Sequence, residues 1–375
     1  MAGTDVVIVG AGVVGTALAA ALRRRGRSVT LLEAGEPGGG TSATSFAWIN
    51  SHKKTPLDYH ALNLRGVEAW RRIAAEAPDA VAFTGHVSIA VGEAHRASLT
   101  QRTERLIGLG YEARWATPAE ARARTPVPVP DDALVAIFDG EGHAFPRRWI
   151  ARLAPAVTPA RATRVEAHDA GATVHLADGG RVRAESVVIC AGTGTAELVA
   201  SAGGALPLVP PVVDSPAFGY LTDVAAPGHG ITTIVKTDRL GLRPGEDGTL
   251  LVQALDLDGT ADPRTPPPAT VAAEIERRVA AVLPHTRPRV IAVRAGHRVI
   301  PADGRTAAGR IAPGSPVWAI ATHSGITLAP WLAEVIAGEL CGGPAEPLLS
   351  AFRPDRFHHT GTHDALAAPR APGDQ

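Results

Sequence analysis

Asp5-Val6-Val7-Ile8-Val9-Gly10-Ala11-Gly12-Val13-Val14-Gly15 is an apolar strand running directly into G-x-G-x-x-G. A helix-forming stretch follows, then a second strand, Ser28 to Leu32, that ends on Glu33 and Ala34. Each position has a physical task in a βαβ unit that binds a dinucleotide. Gly10 permits the tight turn out of the strand. Gly12 lets a pyrophosphate reach the backbone, where the amides of Val13 and Val14 begin the helix. Gly15 lets that helix lie close to the strand. Glu33 is placed to accept hydrogen bonds from a ribose diol. The unit predicts a dinucleotide site and leaves NAD and FAD both open.

Working outward, the 375 residues suffice for two domains with full cores. Lys plus Arg and Asp plus Glu balance at 37 each, so no nucleic-acid or membrane partner is expected. No basic segment precedes the first apolar run, which is already a strand. Neither a signal peptide nor a membrane span is therefore expected, and the reading is cytoplasmic. Cys190 and Cys341 have no metal-binding spacing, so neither a metal nor a disulfide framework is expected.

The small-residue loop Gly38-Gly39-Gly40-Thr41-Ser42 comes next. Apolar spacing predicts a helix over residues 57–75, and a polar helix near 97–109. Residues 160–191 read as three short strands with Gly-containing turns, the last ending at Val187-Val188-Ile189-Cys190-Ala191-Gly192. Strand-like runs at 217–221 and 249–252 precede a helix at 269–283. Beyond residue 292 come a strand at 317–321, a turn at His323-Ser324-Gly325 and a helix at 329–340.

Four segments together resemble the flavoprotein amine and amino-acid oxidases of the D-amino-acid oxidase superfamily, with glycine oxidase the best match. They are Gly10 to Glu33, Gly39 to Ile49, Val187 to Gly192, and a C-terminal set. That set comprises Ala295-Gly296-His297-Arg298, Ala302-Asp303-Gly304, Gly325-Ile326-Thr327-Leu328-Ala329-Pro330 and Ala351-Phe352-Arg353-Pro354-Asp355-Arg356. The resemblance spans residues 4–357. It moves the cofactor from NAD to non-covalent FAD. It implies an α/β + β fold: a Rossmann-like FAD domain of the two-dinucleotide-binding type, with a β-meander, interrupted by an α+β substrate domain with an antiparallel sheet. The expected FAD segments are 1–80, 143–210 and 292–360. The expected substrate segments are 81–142 and 211–291, with a flexible tail at 361–375.

The same resemblance assigns roles. Arg298 would hold the substrate carboxylate, since a planar guanidinium matches it with two parallel hydrogen bonds. Thr41 and Ser42 would approach the FAD phosphates. Ala47 and Trp48 would run along the flavin face, although Trp48 also reads as a core tryptophan. Ala162 would contact adenine through its backbone, and Ala191 and Gly192 would close the cofactor site. Ser324, Gly325, Ile326 and Thr327 would present backbone N–H groups to the flavin's pyrimidine end. With no cysteine in that turn, a cysteinyl–flavin bond is not expected. His323 reads either as a covalent ligand or as a hydrogen-bonded loop histidine.

Two departures from glycine oxidase bear on the substrate. The turn is one residue shorter, so a family arginine has no counterpart and Ser324 is nearest. The region Leu240-Gly241-Leu242-Arg243 lacks a pocket aromatic. An enlarged pocket would suit a longer amino acid or an N-substituted glycine, with Arg243 available to a second carboxylate. His52, Lys53 and Lys54 read as a solvated loop, although a cation there could assist oxygen reduction. His143, Asp139 and Glu141 read as solvated turn residues.

The implied chemistry is oxidation of a C–N bond: hydride passes to flavin N5, the imine hydrolyses to an oxo acid plus amine, and O2 yields hydrogen peroxide. Unmasking of a β-amino acid in a natural-product pathway is one candidate role. The alternatives are a D-amino-acid or imino-acid dehydrogenase with another acceptor, a 2-hydroxy-acid oxidoreductase, and a flavin-binding subunit of a heteromeric oxidase. Oligomeric state is not readable.

Overall fold

Val6, Val7 and Ile8 are fully buried in the strand Thr4–Val9, the middle of an eight-stranded sheet. The structure, a computed structural model, describes residues 4–154, 156–358 and 366, so the expected tail lies outside the described residues except at Leu366. Thr4–Val9 pairs in parallel with Val29–Glu33 on one side and Arg181–Ile189 on the other. Both flanking strands read as near-continuous apolar runs at their inner ends, as a sheet covered on both faces requires. Val157–Pro159 extends the sheet beyond Val29–Glu33. Arg181–Ile189 changes partners along its length. Its first half closes an antiparallel meander with Gly171–Leu176 and Ala162–His168, and its last three residues pair in parallel with Val317–Ala321. The meander and the strand at 317–321 are those expected from the sequence.

A second eight-stranded sheet is built from residues between 86 and 297. Its order is Arg289–His297, Phe218–Ala225, Leu250–Gln253, Gly241–Pro244, Ile234–Lys236, His86–Ala90, Leu134–Phe138, Ala113–Ala116. The expectation was antiparallel, and all junctions but one are. Ile234–Lys236 runs parallel to His86–Ala90, where the two chain segments that form the sheet meet. The last strand, Arg289–His297, crosses the expected boundary at residue 292. A three-stranded sheet of Trp48–Ile49, Gly142–Ala144 and Val81–Ala82 ties these parts together.

The helix Leu57–Glu76 falls where its spacing predicts. The helix expected from residue 329 begins earlier, at Gly325, and runs to Leu340 with Pro330 inside it. Proline has no N–H, so the carbonyl four residues back loses its helical donor. That carbonyl belongs to Ile326, and the buried Trp70 indole donates to it at 2.7 Å. The helix tolerates its proline because a side chain from the neighbouring helix replaces the missing bond.

Candidate active site

Gly10 takes φ +104°, and a Cβ there would lie 2.4 Å from the Cys190 carbonyl oxygen. A Cβ on Gly15 would lie 1.9 Å from the Gly10 carbonyl oxygen. Both glycines are therefore demanded by backbone approach rather than by the turn alone. The helix they introduce, Val13–Arg24, has no acidic residue in its first turn, and Ser42 accepts from the Val13 N–H at 3.0 Å. Glu33 accepts from the Ala11 N–H at 2.7 Å and the Gly35 N–H at 2.8 Å, which fixes its carboxylate beside the helix start. A cleft opens from here. Its lining runs from Gly12, Val13 and Val14, past Thr41 and Ser42, to Ala47 and Trp48. It ends at His323, Ser324, Gly325, Ile326 and Thr327, where the second helix presents its N-terminus.

Arg298 enters the same cleft from the end of Arg289–His297. Its Nη1 donates to the Pro216 and Phe218 carbonyls at 3.2 and 3.0 Å, and its Nη2 donates to Asp258 Oδ2 at 2.9 Å. Asp258 is fully buried and also accepts from the Tyr220 N–H at 2.8 Å. A buried carboxylate thus holds the guanidinium in one orientation, and two of its five N–H groups are left for a ligand. Room for the head group comes from Gly219, where a Cβ would sit 1.9 Å from Arg298 Nη2. Gly219, Tyr220, Leu221 and Gln253 complete this wall. None of these, nor Asp258, was anticipated from sequence. Asp258 lies in a polar 3-10 turn (Leu255–Thr260), and only the strand pairing of Phe218–Ala225 brings it to Arg298.

Behind Trp48 lies a cluster of buried polar side chains. Glu141, expected as a solvated turn residue, is 0% exposed; His143 and His52, likewise expected in solvent, are 1% and 2% exposed. The pairing of Trp48 with His143, and of Val81 with Ala144, draws the loop inward. Asp139 does stay at the surface, paired with Arg114 and Arg124. Glu141 Oε2 accepts from the Trp48 indole at 2.8 Å and Oε1 accepts from the Tyr111 hydroxyl at 2.9 Å. His52 Nδ1 stands 3.1 Å and His86 Nδ1 3.2 Å from the same carboxyl. Burial pushes the Glu141 carboxyl up to about 8, against the pull of the Tyr111 and Trp48 hydrogen bonds. Burial also holds His86 neutral, well below the usual histidine range, and brings His143 down to about 3. His52, His86 and Glu141 are spaced as metal ligands could be. The carboxyl oxygens are already taken by Trp48 and Tyr111, however, and Arg102 and Lys236 add positive charge nearby. The group is a hydrogen-bonded support for Trp48, whose ring lies edge-on to both imidazoles at 4.5 and 4.8 Å.

A family model described as FAD dependent oxidoreductase (DAO) matches residues 5–339. The chain belongs to the DAO family of FAD-dependent oxidoreductases. It is similar to the tRNA 5-methylaminomethyl-2-thiouridine biosynthesis bifunctional protein MnmC of Chromohalobacter salexigens, at 30% identity over 90% of this chain and 54% of that protein. The chain thus spans about half the length of this relative. It is 27% identical to the glycine oxidase of Geobacillus kaustophilus, over 69% of this chain and 72% of that enzyme. The solved structure of that glycine oxidase superposes with a TM-score of 0.82 at 24% identity, covering 95% of this chain and 99% of the other. The structure of iminodiacetate oxidase from Chelativorans sp. BNC1 superposes with a TM-score of 0.78 at 22% identity, covering 93% and 99%.

The cleft suits the FAD of this DAO family member. A Cβ on Gly12 would stand 3.3 Å from Ser42 Oγ, so the bare glycine keeps open the approach to the helix N-terminus. Most residues expected to hold FAD line the cleft: Gly12, Val13, Val14, Thr41, Ser42, Ala47, Trp48, Arg298 and Ser324 to Thr327. Gly10, Gly15 and Glu33 shape its first turn from behind. Ala162 begins the meander and Ala191 and Gly192 follow Cys190, all outside the lining itself. His323, Lys54 and Asn50 add polar groups to the lining. The structure does not bring Arg243 to this cleft. It lines a second cavity with Arg294 and Asp223. Its Nε donates to the Phe46 carbonyl at 2.6 Å, so its guanidinium is committed to the loop that separates the two spaces.

Proposed function

We propose that this chain oxidises the C–N bond of an amino acid or N-substituted glycine, with Arg298 holding the substrate carboxylate. The supporting observation is the guanidinium fixed by Asp258 at the cleft surface beside the unsubstituted Gly219. FAD, when bound, supplies the two-electron acceptor for the chemistry. The chain's own residues bind, orient and enclose. Arg298 sets the position of the carboxylate, and hence of the carbon bonded to it. Trp48, braced by Glu141, forms a wall that does not yield. The N-terminus of Gly325–Leu340 faces the cleft with no acid in its first turn, and so favours negative charge there. With O2 as the final acceptor, an N-carboxymethyl amine plus O2 and water gives the free amine, glyoxylate and hydrogen peroxide.

The test is anaerobic addition of glycine, sarcosine, longer N-substituted glycines, D-amino acids and 2-hydroxy acids to the holoprotein, reading loss of the oxidised-flavin colour. Bleaching by an amine, with KM raised at least about tenfold in Arg298→Ala while FAD stays bound, is expected from loss of a charge-assisted pair. Bleaching by hydroxy acids alone, or an unchanged KM in the variant, would overturn the assignment.

A further inference from the structure

Gln253 ends the strand Leu250–Gln253 on the cleft wall, and it is 6% exposed. Its Oε1 is buried and has no hydrogen-bond partner among the described residues. Folded proteins leave few such groups, because an unsatisfied buried carbonyl costs about 1–3 kcal/mol. Its immediate neighbours along and across the ladder offer it little. The residue opposite in the ladder is Gly241, and the strand neighbours Val252 and Ala254 are apolar. On the other side Thr222 pairs with Val252, so the register brings Leu221 beside Gln253. A polar head thus lines the cleft without a bond to its Oε1, although the Lys236 ammonium passes over Gly241 on the same face of the sheet.

The register also fixes where this head lies relative to Arg298. The guanidinium rests over Gly219, on the strand Phe218–Ala225. Gln253 is one strand over and two residues along, a backbone offset of roughly 8 Å. That offset is within the span of a small ligand whose carboxylate meets Arg298.

We propose that Gln253 is a specificity residue of the cleft, accepting a hydrogen bond from an N–H or O–H group on the arm of the substrate remote from its carboxylate. The preferred substrates are then amino acids or N-substituted glycines whose arm carries such a donor. Plain N-alkyl glycines leave Oε1 unanswered. The inference rests on the carboxylate role of Arg298 and adds the second point of recognition. A site built around a hydrogen bond rejects the analogue lacking it more strongly than an apolar pocket rejects a missing methylene.

Three non-oxidisable carboxylates of nearly one shape separate the possibilities: succinamate, whose end carries N–H; levulinate, whose end only accepts; and 4-methylpentanoate, whose end is apolar. Their affinities for the holoprotein are measured by calorimetry, which needs no turnover. Succinamate is expected to bind at least about tenfold more tightly than the other two, the worth of roughly one well-formed hydrogen bond. In Gln253→Leu and in the unbranched Gln253→Met the advantage should vanish, with 4-methylpentanoate affinity retained and FAD still bound. Equal binding of succinamate and 4-methylpentanoate, or an advantage that survives in both variants, overturns the role of Gln253 and leaves Arg298 untouched. Failure of all three to bind removes the carboxylate anchor, and this inference with it.

Discussion

Glu141 is a carboxyl in full burial, touched by Trp48, Tyr111, His52 and His86. Its folded value near 8 exceeds the ordinary 4.5, so the fold prefers the protonated form. Between about pH 4.5 and 8 the unfolded chain then binds fewer protons at this site than the native state, and stability falls as pH rises through that window. Glu141→Gln removes the titration while its amide oxygen still accepts from Trp48 or Tyr111. The expected outcome is a wild-type stability that declines relative to the variant from pH 5.5 to 8, read as denaturant midpoints at each pH. A wild type that gains on the variant over that range would mean that Arg102 and Lys236 win and the carboxylate is ionised. This residue also marks where sequence reading stops. Asp139-Gly140-Glu141-Gly142 looks locally like a solvated turn, and only pairing with Trp48–Ile49 and Val81–Ala82, far away in the chain, buries it. The tight backbone approaches at Gly10 and Gly15 were legible because they follow from spacing within a single βαβ unit.

The helices Leu57–Glu76 and Gly325–Leu340 act as one element pair in building the cleft. Trp70 donates to the Ile326 carbonyl, Thr327 donates to the Trp48 carbonyl at 3.2 Å, and Tyr59 and Ser324 share a hydrogen bond of 3.0 Å. Gly66 allows the approach, since a Cβ there would lie 2.3 Å from the Thr327 carbonyl oxygen. Backbone cannot yield as a side-chain tip can, so Gly66→Ala must push the second helix's N-terminus away from the cleft. Such overpacking costs about 1–3 kcal/mol. We expect a lower melting temperature and weaker FAD retention on dialysis, with a nearly unchanged far-ultraviolet spectrum. Full FAD occupancy at wild-type stability would show that the helices separate without disturbing the site. The Leu57–Glu76 helix was legible from its apolar spacing. The true start of the other helix was not, because its first turn depends on the Trp70 indole taking over the carbonyl that Pro330 leaves open.

Over the whole molecule, the two large sheets meet across the loop that carries Thr41 to Ala47, and arginines of the second sheet hold that loop. Arg294 Nη1 donates to the Ala43 carbonyl at 2.5 Å, and Thr41 returns a bond to the His297 carbonyl at 2.8 Å. A Cβ on Gly296 would lie 2.9 Å from Thr44 Oγ1, so the contact is close. Arg243, 3% exposed, bonds the Phe46 and Pro244 carbonyls and lies over the rings of Phe46 and Phe145. The family resemblance made the nucleotide-binding sheet and the insertion of a second sheet legible. It could not show that Arg243 serves the seam, because that depends on which way one strand residue faces. Arg243→Met keeps the apolar stem and removes the donors, leaving the Phe46 carbonyl without its partner. The expected cost is about 1–3 kcal/mol, seen as a melting temperature lower by a few degrees and faster loss of FAD. Because Arg243 lines the other cavity, the ratio of kcat/KM for iminodiacetate to that for sarcosine should stay the same. A selective fall for the dicarboxylate would instead put the guanidinium in contact with a second carboxylate, and the seam role would have to be abandoned.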